Sequence, residues 1–132
     1  MPRFLVLQNY TPIPDQPPIH EWDVADVHAH IDFQDRLNKE LTESGELVDA
    51  QGLAGPELAK FVVSDGVGAP VVTDGPFPES KELLAGYRVV DVESEQRAIE
   101  IAALVSAAPG AGGKPLREPV EVRQIMDAPP AE

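Results

Sequence analysis

Proline sets the first limits on what this chain can fold into. Fourteen residues are proline, and each lacks a backbone donor and holds its predecessor in an extended conformation. Pro12, Pro14, Pro17 and Pro18 make Thr11–Ile19 an irregular connection, while Pro129 and Pro130 make the C-terminus read as a frayed tail. Two stretches, Glu21–Gly55 and Glu79–Ala108, contain no proline and have room for helices. The expected organisation is one domain over residues 1–127, with a Pro-rich loop at 11–20 and a flexible tail at 128–132.

Within those limits the hydrophobic periods alternate between strand and helix. Arg3–Asn9 is an apolar, β-branched run ending in turn chemistry, so it predicts a first strand. Asp23 or Asp26 can cap a helix that runs to about Ser44, where Gly45 supplies a left-handed stop. At about 100° per residue, Val27, Ile31, Leu37 and Leu41 gather on one stripe of it. Glu46–Gln51 predicts a short strand. Glu57–Ser64 and Val71–Thr73 predict a hairpin, with Asp65-Gly66 supplying its turn. Gly86–Val92 is the next strand. Ser94 then caps a second helix, with Ala98, Ile101, Ala102 and Val105 as its buried stripe and Pro109-Gly110 as its end. After the Gly-rich loop 110–113, Pro119–Met126 closes the chain as a strand.

Without the hairpin, the order is β-α-β-β-α-β. This is the α+β, ferredoxin-like split βαβ pattern, with two helices on one face of an antiparallel sheet and an inserted hairpin. The opposite face of such a sheet is ordinarily polar. Here the first strand carries Phe4 and Val6 on one side but Leu5 and Leu7 on the other, and Val89 and Val90 likewise point opposite ways. Two apolar faces need two covers, and the helices supply one. A homodimer packed sheet against sheet, the dimeric α+β barrel arrangement, provides the second; the alternative is that the hairpin folds back to do so.

Ten basic against 23 acidic residues give a formal charge of -13. That balance excludes a nucleic-acid groove, whose affinity comes from Lys and Arg on phosphates, and disfavours an anionic membrane surface. No apolar run suffices to span a bilayer and no secretory leader is evident. There is no cysteine, which removes disulfides, thiolate catalysis and Cys-ligated zinc. A cytoplasmic location is expected.

Val71-Val-Thr-Asp-Gly-Pro-Phe77, continued by Glu79-Ser-Lys-Glu-Leu-Leu-Ala-Gly-Tyr87, resembles the signature of the YCII-related proteins, in particular their DGPF subgroup. Leu37–Leu41, Gly45–Leu53 and Val120–Ile125 are similar to the same family. The resemblance implies a ferredoxin-like fold that dimerises through its sheets, and it implies little about activity. Read as residues alone, Asp74-Gly75-Pro76 is a turn, Phe77 a core anchor and Glu79–Glu82 one helical turn. The functional reading makes Asp74 a carboxylate at a cleft rim, with Lys81 or Glu82 close by, and counts Phe77 among the pocket candidates.

His20, His28 and His30 lie among Asp23, Asp26 and Asp32, yet on a helix His28 and His30 diverge by about 200°, so no shared metal ion is expected. Nor is any cofactor. His28 points to solvent beside Asp35. His30 and Gln34, four residues apart, fall inside the apolar stripe, and buried polar groups need partners, so this pair either bonds within the core or lines a pocket. In the wider YCII family a His–Asp dyad is proposed and one relative is a dehydrochlorinase. The histidine of that dyad corresponds to Gln34 here, and the segment expected to hold its aspartate reads Ala107-Ala-Pro109. The resemblance therefore carries no dyad across. Two functions follow: a dimeric small-ligand-binding or protein-interaction domain without catalysis, or a lyase or hydrolase using His30 as base with Asp74. Any link to transcription would run through a protein partner, without direct nucleic-acid or membrane contact.

Overall fold

The computed structural model describes residues 1–9, 16–75 and 84–126. It has strand β1 (Arg3–Asn9), helix α1 (Val24–Glu43), strands β2 (Leu47–Gly52), β3 (Lys60–Val63), β4 (Val71–Asp74) and β5 (Leu84–Asp91), helix α2 (Glu95–Ser106) and strand β6 (Val120–Gln124). Four strands form an antiparallel sheet in the order β2-β5-β1-β6, and β3 and β4 form a separate two-stranded ribbon. This is the ferredoxin-like α+β fold expected from the pattern. The sheet is open; the four strands of one chain do not close into a barrel.

Both helices cover one face. Phe4 and Val6 of β1 and Val90 of β5 meet Leu37 and Leu41 of α1 and Ala98, Ile101, Ala102 and Val105 of α2 in the core. Strand alternation explains the choice: register pairs Phe4 with Val90 and Val6 with Arg88, so these residues share a face. The Ser94 hydroxyl accepts the Arg97 N–H at the start of α2, as a capping serine should. Gly45 takes φ +80° after α1, where a side chain would be strained. An ion pair then locks the corner: the Arg97 guanidinium donates twice to the Glu46 carboxylate, at 2.8 and 2.9 Å.

Three local expectations are corrected. Ile31 is 48% exposed, because it sits at the edge of the α1 stripe; Phe33, Leu37 and Leu41 pack in the core, Gln34 meets Arg88 of the sheet and His30 meets the loop after α2. The run from Glu57 does not form strand throughout: Pro56–Leu58 is a 3₁₀ turn and β3 begins at Lys60. Asp65-Gly66 is not a tight hairpin turn. It opens the longer loop 64–70, where the Asp65 carboxylate accepts the N–H groups of Val67 and Gly68. Those bonds hold the Asp65 carboxyl below the usual carboxylate range, the Val67 N–H contributing most.

The ribbon does not serve as a second cover for the sheet, since neither β3 nor β4 packs substantially against any other described element. Leu5, Leu7, Tyr87 and Val89 remain half-buried on the face opposite the helices. No helix among the described residues is long and apolar enough to cross a membrane.

Candidate functional site

Strand β5 carries a charge into the interior. Alternation puts Arg88 on the helix side, two residues from the core Val90, and only 4% of it is exposed. A buried cation needs its donors answered. Nε of Arg88 donates to Oδ1 of Asn38 at 2.7 Å, one terminal nitrogen to Oε1 of Gln8 at 3.3 Å, and the other to Oε1 of Gln34. Asn38 and Gln34 come from adjacent turns of α1 and Gln8 from the end of β1. Burial, outweighing the attraction of Glu118, lowers the Arg88 pKa, although a guanidinium stays charged at physiological pH.

The loop after α2 completes the site. It is pinned to the end of α2: Leu116 N–H donates to the Ala108 carbonyl, Arg117 N–H to that of Ser106, and the Ser106 hydroxyl to the carbonyl of Glu118. Arg117 adopts φ 60°, the only positive φ outside glycine among the described residues, and so turns the chain towards β6. The loop also clasps α1. Gly112 N–H donates to the Asp26 carboxylate, and Nδ1 of His30 lies 2.9 Å from the carbonyl of Pro109. A carbonyl can only accept, so Nδ1 carries a proton, and of the two neutral tautomers this bond selects the one with its lone pair on Nε2. Trp22 meets the same ring edge-on, with centroids 5.7 Å apart.

Glu118 stands at the other end of the network. Its carboxylate accepts from Nε2 of Gln8 at 2.8 Å, so Gln8 bridges it to Arg88. Burial raises the Glu118 pKa; the Gln8 bond and the fields of His30 and Arg88 oppose that rise without cancelling it.

Part of this network borders a cleft of about 260 Å³ between α1 and the β2–β5 half of the sheet. Its lining includes Gln8, His30, Gln34, Asn38, Tyr87 and Arg88, with Gly52 and Gly86 at paired positions on the strands. A Cβ at Gly86 would lie 2.9 Å from the Gln51 carbonyl, so a side chain there would press into backbone. Nε2 of Gln34 is buried and has no hydrogen-bond partner. A second hollow of about 320 Å³ is apolar, lined by Leu53, Ala54, Gly55, Pro56, Leu58, Ala59 and Leu84.

Of the residues singled out in the sequence, His30 and Gln34 do share one wall. Asp74 does not line the cleft; it lies exposed on the ribbon and pairs with Lys60. Phe77, Lys81 and Glu82 lie outside the described residues. Sequence reasoning missed Arg88, Asn38, Gln8 and Glu118. One signal was present: Arg88 and Val90 are two apart on a strand, so a core-facing Val90 takes Arg88 inside with it. Among the described residues no three His, Asp or Glu side chains gather to hold a metal ion.

A comparison with curated proteins finds no match to this chain. The family model of the YCII-related domain matches residues 4–112, which span β1 through α2 and the loop that meets His30. The chain belongs to the YCII-related domain family.

Proposed function

We propose that this chain is a homodimeric, cytoplasmic small-molecule-binding domain of the DGPF type, with the Arg88 cleft as its ligand site and no reaction required of it. The observation that carries this reading is an open cleft lined by Gln34 and the buried Arg88, in which Gln34 holds a buried Nε2 without a hydrogen-bond partner. A buried polar group left unpaired costs about 1–3 kcal/mol, which a bound acceptor removes. The cleft is below the roughly 300–1,000 Å³ of drug-sized sites, so the ligand is small. The half-buried apolar side chains on the sheet face that no described helix or strand covers support the dimer. The test is a fragment screen by ¹H–¹⁵N NMR on the full chain: cleft ligands move the Gln34 side-chain amide, and a screen with no such ligand rejects the site.

One observation favours a catalytic alternative, a lyase or hydrolase with His30 as base. The Pro109 carbonyl fixes the tautomer, leaving Nε2 of His30 as a positioned proton acceptor. Asp74 is the partner that the sequence suggests, whereas Glu118 is the carboxylate whose field reaches the ring. This alternative requires turnover that His30→Gln abolishes while the fold and the cleft shifts persist.

A further inference from the structure

At the Arg88 end of the cleft the side-chain oxygens of Gln8, Gln34 and Asn38 are already engaged by the guanidinium, and what remains unspent there is donors. Arg88 has five N–H groups, of which those on Nε and one on each terminal nitrogen reach Asn38, Gln8 and Gln34. The Gln34 oxygen is taken by Arg88, which fixes the orientation of its amide and leaves Nε2 without a partner. The Glu118 carboxylate is turned to Gln8. A group that complements this end of the cleft accepts hydrogen bonds from it. A carboxylate does this with two coplanar oxygens, the geometry that a guanidinium fork matches best.

Charge narrows the class further. The chain carries -13 overall, so a multiply charged anion meets repulsion that a single charge feels far less. The volume allows a ligand of roughly nine heavy atoms, at about 30 Å³ apiece as for water.

We propose that the cleft selects a small organic monocarboxylate, bound through the Nε2 amide of Gln34 and the unspent N–H groups of Arg88. This rests on the reading of the cleft as a ligand site and names what that site takes. The experiment titrates ¹⁵N-labelled full chain with acetate, propionate, acetamide, malonate and inorganic phosphate at constant ionic strength, following the Gln34 amide and the Arg88 Nε–H. Acetate and propionate shift both signals saturably, acetamide binds at least tenfold more weakly, and Gln34→Glu, which keeps the oxygen that Arg88 holds and replaces the amide donor with an anionic oxygen, weakens propionate binding at least tenfold. Acetamide binding as tightly as acetate overturns the carboxylate assignment while leaving the ligand site intact. Phosphate or malonate binding more tightly than propionate overturns the single-charge assignment. No shift at either signal with any probe overturns the assignment, and if the wider fragment screen is also silent, the ligand-site reading falls with it.

Discussion

Arg88 is the residue on which the interior polar network depends. Replacing it with methionine fills much of the space but strands the oxygens of Gln8, Gln34 and Asn38, each worth about 1–3 kcal/mol when buried and unpaired. Some of that loss is offset because the guanidinium no longer has to be desolvated. Arg88→Met is expected to lose roughly 3 kcal/mol in urea denaturation; a loss within error of zero would show the network to be slack. Glu118 gives the second prediction at this scale. Its folded pKa is raised above the ordinary 4.5, chiefly by burial, so the folded state binds its proton more tightly than the unfolded chain does. Its contribution is full below about pH 4.5 and is lost as pH rises through the raised value. Glu118→Gln should flatten that fall in stability above pH 4.5, measured by denaturation midpoints across pH. An unaltered profile would place the carboxyl in a wetter setting than the structure gives it.

At the scale of elements, the corner between α1 and β2 sets where α2 starts. Glu46 is held below the usual carboxylate range chiefly by its bonds from Arg97, and its contribution is therefore present above the ordinary value of 4.5 and lost as pH falls through the lowered one. The pair is partly exposed, so Glu46→Gln should cost only about 1 kcal/mol. Gly45→Ala meets no atom within 4 Å, so its cost is backbone strain alone, about 1–2 kcal/mol at φ +80°; thermal unfolding of both variants checks the two values. The elements themselves were largely legible. Apolar period located β1, α1 and α2, because local pattern and tertiary burial agree there, and the Ser94 cap marked the start of α2, whereas Asp23 precedes α1 without a side-chain cap bond. His30 and Gln34 were legible for the same reason. Arg88 was not, because its charge reads as surface until the neighbouring strands show which side of β5 is covered. Glu118 had no local signal at all: it enters the site through a turn at Arg117 and a hydrogen bond to Ser106 from a different element.

For the whole molecule, the sheet face that no described helix or strand covers is where assembly is expected. Leu7 pairs in register with Glu121 of β6, so Leu7→Lys gains a cross-strand ion pair and keeps the protomer folded. The same charge would be buried in a sheet-to-sheet dimer. Sedimentation should therefore show wild type as a dimer at micromolar concentration and Leu7→Lys as a folded monomer; a wild-type monomer would remove the dimer proposal. The β3–β4 ribbon has a different standing. Val62, Val63, Val71 and Val72 are all more than half exposed, and the strands hold mainly to each other. Opening them thus forfeits little that the main sheet supplies. In deuterated solvent the backbone amides of Phe61 to Val63 should exchange at a pace set by that small local opening, while those of Leu5 and Val89 wait for the entire fold to come apart. One polypeptide would then keep two clocks, and a protease given brief access would cut at the faster.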